Sequence, residues 1–277
     1  MPLKDLSAAS DVINAIEGNL WAHYDVVCPL CRTAHYERQS HWMRLVSGIQ
    51  YPLCNSILNP RLDAAEVDVQ IEEAMMPFRE QDLPMLWWLG PSAEPAELAS
   101  HLTRHDLVEI HRAPGMAVEL SAVPGIDTAR VCDIRRTVTP RELDDWSGVF
   151  AEVFELPAEA SAFFSEPYTV MAREQSHRFL QLIGYHDGVP VACGTAFIGA
   201  GAGGVYNIGT MPSARGMGIG QAVTTACLVW LKKAGMQVAI LHSSEMGFGI
   251  YERMGFQQFC DFHLFTNATE ERKENGV

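Results

Sequence analysis

The chain has 277 residues and a formal net charge of −14; 48% of its residues are hydrophobic and 19% are charged. This composition excludes wholesale disorder and fits one large domain or two of ordinary size. The acidic balance repels nucleic acids and anionic membranes, so we expect neither as a partner. Seven cysteines, an odd number, indicate reduced thiols rather than a disulfide framework. With no apolar run of about 18 residues and no signal-peptide pattern, the sequence predicts a cytoplasmic protein.

The N-terminal half carries helical and strand-like patterns in alternation. We expect a helix and a strand in residues 20–31 and 42–58, an amphipathic helix in 66–84 and a strand in 83–91. A helix capped by Ser92 is expected in residues 92–105. The following residues, 106–120, predict two strands around a turn at Ala113-Pro114-Gly115.

The C-terminal half has clearer signals. A strand at 131–138 precedes a helix at 139–154, for which Thr139 is the expected N-cap and Pro140 lies in the first turn. Residues 160–175 are helical or mixed, and 178–199 predict two strands joined by a hairpin at Asp187-Gly188. The remaining predicted elements are a strand at 203–211, a helix at 217–234, a strand at 237–244, a helix at 247–254 and a strand at 257–266.

This order predicts a mixed α/β fold in which a helix crossover links neighbouring strands of one sheet. The segment 123–130 contains proline and glycine ahead of a fresh strand and is a natural place for a domain boundary. We therefore expect an accessory α/β domain at 1–128 and a second domain at 129–277.

A glycine-rich stretch, Arg215-Gly-Met-Gly-Ile-Gly220, lies between a predicted strand and a predicted helix. A helix start presents backbone N–H groups without intrahelical partners and carries partial positive charge, so it binds anions when the backbone can approach closely. The glycines therefore indicate a pyrophosphate site, and a glycine-rich turn without a ligand is the alternative. The spacing matches neither a Walker loop nor a dinucleotide fingerprint.

This stretch resembles the acyl-CoA pyrophosphate loop of the GNAT superfamily of N-acetyltransferases, Arg/Gln-x-x-Gly-x-Gly/Ala, through Arg215, Gly218 and Gly220. A second resemblance follows a buried strand, in the segment Ile250-Tyr-Glu-Arg-Met-Gly-Phe256. The two motifs have the expected separation, and the resemblance covers about residues 129–267. It implies a GNAT-like acyl-CoA N-acyltransferase fold in the C-terminal half. The strand order of residues 1–128 also resembles the degenerate first half of tandem GNAT proteins.

The resemblance implies that acetyl-CoA is the cosubstrate, held by backbone groups of the strand and the glycine loop. The implied cofactor-binding residues are Gly209, Thr210, Met211, Arg215, Gly216, Met217, Gly218, Ile219, Gly220, Gln221 and Ser244. Ser244 replaces the asparagine of many relatives, which leaves its contact with the cofactor arm open. Gly209 also lies where a β-bulge would help the strand diverge from its neighbour.

Tyr251 matches the position of the family's usual general acid. A phenol is protonated at neutral pH and can donate its proton to a departing thiolate. The alternative is that Tyr251 is a packed aromatic residue. The sequence identifies no general base, because the strand before the loop has no carboxylate. His242 is a weak base candidate. A satisfied core or cleft histidine is the favoured interpretation of His242, and a water relay or a neutral substrate amine would also serve as the route for the proton.

The resemblance therefore implies an acetyl-CoA or short acyl-CoA dependent N-acyltransferase that acts on a primary amine of a small molecule or peptide. The alternative is a non-catalytic acyl-CoA-binding regulatory or interaction module. We expect no metal, because Cys28 and Cys31 form a Cys-x-x-Cys half-site with no second half-site at standard spacing. A homodimer is left open. The sequence does not identify the acceptor substrate, because acceptor pockets are built by variable loops.

Overall fold

The computed structural model describes residues 2–123 and 131–267. The helices are α1 (Ala9–Val27), α2 (Val67–Glu80), α3 (Leu98–Arg104), α4 (Pro140–Val153), α5 (Ala158–Glu174), α6 (Ile219–Lys233) and α7 (Glu245–Arg253). The strands are β1 (His35–Arg38), β2 (Met43–Val46), β3 (Ser56–Leu58), β4 (Leu86–Leu89), β5 (Val108–Glu119), β6 (Asp133–Arg136), β7 (Phe179–His186), β8 (Val189–Gly199), β9 (Ala202–Thr210), β10 (Val238–His242) and β11 (Gln257–Thr266). Among the described residues, no helix combines the length and apolar character needed to cross a bilayer.

The chain forms two compact units, and both are discontinuous in sequence. The first contains Met1–Val27 and Pro114–Cys260, and the second contains Cys28–Ala113 and Asp261–Val277. Because the units are interleaved along the chain, they do not test the sequence-based division into 1–128 and 129–277, which stays a prediction. The boundary segment proposed for that division falls almost entirely on residues 124–130, outside the described part of the chain.

The first unit is built on a mixed sheet with the strand order β5-β10-β9-β8-β7-β6. Neighbouring strands are antiparallel except β9 and β10, which are parallel and are linked by the crossover helix α6. This arrangement confirms the predicted α/β layer with a helix crossover. The β7–β8 hairpin is also confirmed, with positive φ at Asp187 (50°) and Gly188 (78°), as a two-residue type I′ turn requires.

Helices cover both faces of this sheet. Successive residues of a strand point to opposite faces, and a Cβ on Gly203 would meet Leu231 of α6, whereas one on Gly204 would meet Asn19 of α1. Thus α6 and α1 lie on opposite faces. The α6 face buries Ile219, Val223, Cys227, Leu228 and Leu231 of the helix, at the i, i+4 spacing of an amphipathic helix.

Two ends of helices in this unit show how local sequence sets local structure. The hydroxyl of Thr139 accepts a hydrogen bond from the Glu142 N–H, and the Glu142 carboxylate accepts one from the Thr139 N–H. This capping box, with Pro140 in the first turn, confirms the predicted start of α4. By contrast, α1 begins at Ala9, well before the predicted helix at 20–31, and it ends at Val27.

The second unit has the strand order β1-β2-β3-β4-β11, in which β3 and β4 are parallel. Its core is formed with α2 and α3 and includes Ile57, Ile71, Phe78, Trp87, Leu102 and Phe265. The predicted strand at 42–58 is two strands, β2 and β3, separated by a 3₁₀ turn at Pro52–Cys54.

Two sequence-based predictions here are wrong. Ser92 does not cap α3, which begins at Leu98 after the N-cap residue Glu97; the Ser92 hydroxyl instead accepts a hydrogen bond from Arg61 at 2.5 Å. The expected turn at 113–115 is absent, because β5 runs unbroken from Val108 to Glu119. Pairing of Gly115 with His242, and a hydrogen bond from the Ser243 N–H to the Pro114 carbonyl, keep the chain extended there.

Candidate functional site

A cleft of about 630 Å³ opens in the first unit beside the C-terminal part of β9 and the first turn of α6. The helix α7 and the last turn of α4 also contribute to its walls. The residues that line it are Val153, Phe154, Ile208, Gly209, Thr210, Ala214, Arg215, Gly216, Gly218, Ile219, Gly220, Gln221, Thr224, Ser244, Met246, Gly247, Ile250, Tyr251 and Arg253.

The two parallel strands beside the cleft separate from each other. Within the described residues, β9 and β10 pair only at Gly203 with Ala239 and at Gly204 with Ile240, although the strands run on to Thr210 and His242. Backbone groups of β9 beyond that point therefore have no β10 partner, so an extended ligand can hydrogen-bond to them.

A β-bulge marks the change in direction of β9. Its register with β8 shifts between Cys193 and Thr195, and Asn207 has a φ of 55°. The Asn207 side chain donates to the Thr195 hydroxyl at 3.1 Å, which helps to hold this uncommon conformation. The predicted bulge at Gly209 is thus corrected to a position two residues earlier. Gly209 has another role, because a Cβ there would lie 2.7 Å from Cγ1 of Val153.

Each glycine of the loop is required for its own physical reason. Gly216 and Gly218 have φ of 79° and 77°, a left-handed conformation that other residues adopt at a cost. Gly220 has no such constraint, but a Cβ there would lie 3.1 Å from the hydroxyl oxygen of Thr210. The first two glycines therefore permit the turn, and the third permits close approach of the helix start to β9.

The start of α6 has the properties of an anion site. Gly218 is the N-cap and offers no capping side chain, and the first helical hydrogen bond runs from the Ala222 N–H to the Gly218 carbonyl. The intervening residues Ile219, Gly220 and Gln221 all line the cleft. Their N–H groups belong to the first turn, where intrahelical acceptors are lacking and the helix dipole is positive. No acidic residue lies in this first turn.

Arg215 adds a cation at the same place. Its Nε donates to the Thr210 carbonyl at 3.2 Å, which ties the glycine loop to the end of β9, while the side chain stays exposed. Met211 and Met217 do not line the cleft, although both were predicted to bind the cofactor. Met211 packs partly buried against the core and its N–H pairs with Val191, and the Met217 side chain is 53% exposed.

Tyr251 reaches the cleft from α7. Burial, together with the nearby Cys227 thiol, raises its pKa to about 12, against a smaller lowering effect of a hydrogen bond with Thr224. The phenol therefore keeps its proton throughout the physiological pH range. Gly247 makes room for the ring, since a Cβ there would lie 2.8 Å from Cε2 of Tyr251.

Ser244 and His242 both precede α7 in the chain, but only Ser244 lines the cleft. Ser244 lines the cleft as the N-cap of α7, and its hydroxyl accepts from the Gly247 N–H at 3.2 Å. His242 ends β10 and does not line the cleft; its ring stacks on Tyr206 with centroids 6.4 Å apart. Burial lowers the pKa of His242 to about 3, so it is neutral at physiological pH and a weak proton acceptor.

The charged and titratable groups of the cleft are few. Among the described residues that line it, the ionisable ones are Arg215, Arg253 and Tyr251, with no carboxylate and no histidine. Metal ligands are not clustered in the described residues, which contain no group of three or more potential ligands; Cys28 and Cys31 are buried, and neither forms a disulfide.

Sequence reasoning missed part of this site. The lining residues to which it assigned no binding or catalytic role are Val153, Phe154, Ile208, Ala214, Thr224, Met246, Gly247, Ile250 and Arg253. Several follow directly from named motifs: Thr224 is one helical turn after Gly220, and Ile250 precedes Tyr251. No local signal distinguishes Val153 and Phe154, which lie about 55 residues before Gly209 in sequence and reach the cleft through the packing of α4.

Comparison with known proteins agrees with this geometry. Residues 142–256, which include the last turn of α4, the bulged strand, the glycine loop and Tyr251, match the family model described as "Acetyltransferase (GNAT) family". Residues 142–256 are a GNAT-family domain. No protein with a curated description matches the chain by sequence.

Solved structures of GNAT proteins share the fold well beyond this GNAT domain. A GCN5-related N-acetyltransferase from Kribbella flavida superposes with a TM-score of 0.65 at 21% identity, covering 93% of this chain and 98% of its own. A tandem GNAT protein from the clavulanic acid biosynthesis pathway superposes with a TM-score of 0.61 at 13% identity, covering 96% of this chain and 97% of its own. A GCN5-related N-acetyltransferase from Sphaerobacter thermophilus superposes with a TM-score of 0.59 at 15% identity, covering 94% of this chain and 93% of its own. The chain therefore has a GNAT acyltransferase fold that extends over its N-terminal half.

Proposed function

We propose that the protein is an acetyl-CoA or short acyl-CoA dependent N-acyltransferase that transfers its acyl group to a primary amine by direct attack. The observation that supports this most strongly is the start of α6, which follows Gly216 and Gly218 and has no side-chain cap. It lies beside β9 where that strand has separated from β10. The match of residues 142–256 to the acetyltransferase family adds support from sequence.

The residues present fit coenzyme A. The N–H groups of Gly218 to Gln221 and the Arg215 guanidinium would hold the pyrophosphate, where the helix dipole is positive and the N-cap residue is a glycine. Backbone groups of Gly209 and Thr210 and the Ser244 hydroxyl would hold the pantetheine arm. When bound, acyl-CoA supplies an activated thioester. The contributions predicted for the backbone groups of Met211 and Met217 stay a prediction, and neither residue is among those that line the cleft.

Tyr251 is proposed as the general acid. Its pKa of about 12 keeps the phenol protonated at pH 7, so that a proton is available for the sulfur that leaves as the carbon–sulfur bond breaks. The hydrogen bond with Thr224 and the space left by Gly247 orient the ring in the cleft. Backbone N–H groups of β9 that have no β10 partner would stabilise negative charge on the carbonyl oxygen.

The proton of the attacking amine has no strong acceptor in the described lining of the cleft, which lacks carboxylates and histidines. His242 does not fill this role well, because a pKa of about 3 makes it a weak acceptor and it does not line the cleft. We therefore propose that the acceptor amine enters in its neutral form, or loses its proton to water. The activity should then rise with pH as the acceptor amine deprotonates.

The test is a thiol-release assay with acetyl-CoA against a panel of amines, antibiotics and peptides, paired with calorimetric titration of coenzyme A. Gly218→Val should abolish binding of coenzyme A without unfolding the chain. Gly188→Ala is the matched control, because Gly188 has nearly the same φ (78°) but belongs to the β7–β8 turn. Unchanged binding by Gly218→Val would overturn the proposed anion site.

A non-catalytic acyl-CoA-binding module is the second candidate, and the absence of a carboxylate from the described cleft lining favours it. It predicts that coenzyme A binds but that no amine in the panel accepts an acyl group. Acyl transfer that is lost in Tyr251→Phe would exclude it.

The remaining proposals concern partners and location. We propose a small-molecule or peptide amine as acceptor and expect neither nucleic acid nor membrane surfaces as partners, given the net charge of −14. None of the seven cysteines, all within the described residues, forms a disulfide, which supports the proposal of a reducing, cytoplasmic environment. Homodimer formation remains a proposal that sedimentation or light scattering would test.

A further inference from the structure

One wall of the cleft is apolar and comes from the C-terminus of α4. Val153 and Phe154 of this segment line the cleft together with Ile208 of β9, and none of the three carries a polar side-chain atom. None of the polar or charged side chains of the described lining comes from α4; they are Thr210, Arg215, Gln221, Thr224, Ser244, Tyr251 and Arg253. This wall therefore suits a hydrocarbon group rather than a phosphate or a hydroxyl.

Val153 lies directly against the backbone of Gly209. A Cβ built on Gly209 would be 2.7 Å from Cγ1 and 3.2 Å from Cβ of Val153. The isopropyl group thus occupies the space that a side chain at position 209 would take. It defines how far the cleft extends beside the segment of β9 that has left its β10 partner.

The position of Val153 is held by the way α4 ends. The Leu156 N–H donates to the Ala151 carbonyl at 2.9 Å, and the Glu155 N–H donates to the Glu152 carbonyl at 3.3 Å. With φ of 52° at Glu155, these two bonds form a Schellman motif, which closes the helix in one conformation. The wall is therefore a fixed surface and not a loose loop.

We propose that Val153 is the specificity-determining residue that restricts the acyl group to short chains of about two or three carbons. This inference rests on the proposed function, in which the backbone of Gly209 and Thr210 holds the pantetheine arm, so that the thioester at the end of the arm lies beside this part of β9. A longer acyl chain that continues past Gly209 meets the isopropyl group. Replacement of Val153 by alanine removes two methyl groups and opens space for about two further carbons. Each of these carbons changes the affinity for a longer acyl-CoA relative to acetyl-CoA by about tenfold or more.

The experiment titrates the full chain with coenzyme A, acetyl-CoA, butyryl-CoA and hexanoyl-CoA by calorimetry, without an acceptor. The wild-type protein is expected to bind butyryl-CoA about tenfold or more weakly than acetyl-CoA. Val153→Ala should remove that penalty. Val149→Ala is the matched control, since Val149 lies on the same helix and loses the same atoms, but it is buried in the core and does not line the cleft.

If all three proteins bind coenzyme A and Val153→Ala keeps the same butyryl-to-acetyl ratio as Val149→Ala, the inference is overturned. If the wild-type protein binds no coenzyme A, the proposed function itself fails, which is a distinguishable result. Should Val153→Ala not fold, Val153→Ile supplies the second test: the added methylene should weaken acetyl-CoA about tenfold relative to coenzyme A. An unchanged ratio of these two affinities would also overturn the inference.

Discussion

Replacement of Tyr251 by phenylalanine separates the proposed acid role from a packing role. The change removes one hydroxyl and leaves the ring, which makes an edge contact with Phe256 at 5.7 Å between centroids and lies against Gly247. The hydrogen bond lost with Thr224 is worth about 1 kcal/mol, so the fold should survive. Affinity for coenzyme A should stay within about threefold, because that affinity is assigned to backbone groups at the start of α6.

Turnover should fall far more than affinity. General acid catalysis contributes about 10²- to 10⁴-fold, so kcat should drop by at least about 10²-fold. Because the Tyr251 pKa is raised to about 12, its ionisation produces no decline in the wild-type rate between pH 7 and 10. The assay is thiol release at saturating acetyl-CoA as a function of pH, once an acceptor is known. A kcat within about twofold of wild type would refute the assignment, and an equal loss of affinity and kcat would indicate packing.

Three further predictions concern the surroundings of the site. Gly247→Ala should lower kcat while thermal stability stays close to wild type, since the new Cβ would lie 2.8 Å from the Tyr251 ring; an unaltered kcat would contradict this steric argument. Glu155→Gly should raise the free energy of unfolding by about 1 kcal/mol in denaturant titration, because φ of 52° is unfavourable for glutamate; a loss of stability would contradict it. His23 is buried, and burial lowers its pKa from 6.5 to about 3, so the folded state resists protonation. Stability from this group is complete above pH 6.5 and falls by about 2 kcal/mol by pH 5. The buried His242 has the same lowered pKa and contributes a similar fall, so His23→Phe should remove about half of the decline in the pH–stability curve.

Many elements were predictable because their signals are local. The capping box of Thr139 and Glu142, the turn at Asp187 and Gly188, and the amphipathic pattern of α6 each span a few residues. The glycine loop belongs to the same class, since helix-terminal N–H groups and left-handed glycines are properties of short segments. Its placement beside a separated strand agreed with the prediction.

Other features depended on partners far away in sequence. The strand β5 continues through Pro114 and Gly115 because β10, more than a hundred residues later, pairs with it. Helix α1 belongs to the first unit because Asn19 donates to the carbonyls of Gly199 and Ala202 at 2.8 and 2.9 Å. A local pattern contains no information about such partners, so the propensity for a turn at 113–115 was overridden by tertiary pairing.

The amino-acid sequence alone determined the chemistry that the site offers: an open helix start behind glycines, a tyrosine on the following short helix, and a family pattern that connects them. Only the tertiary structure decided the shape of the cleft. It placed the bulge at Asn207 rather than Gly209, excluded His242 from the lining and brought Val153 against Gly209. The physical reason is that backbone conformation at a helix end is fixed by neighbours a few residues away, whereas the walls of a cleft are fixed by the packing of segments that meet only in the folded chain.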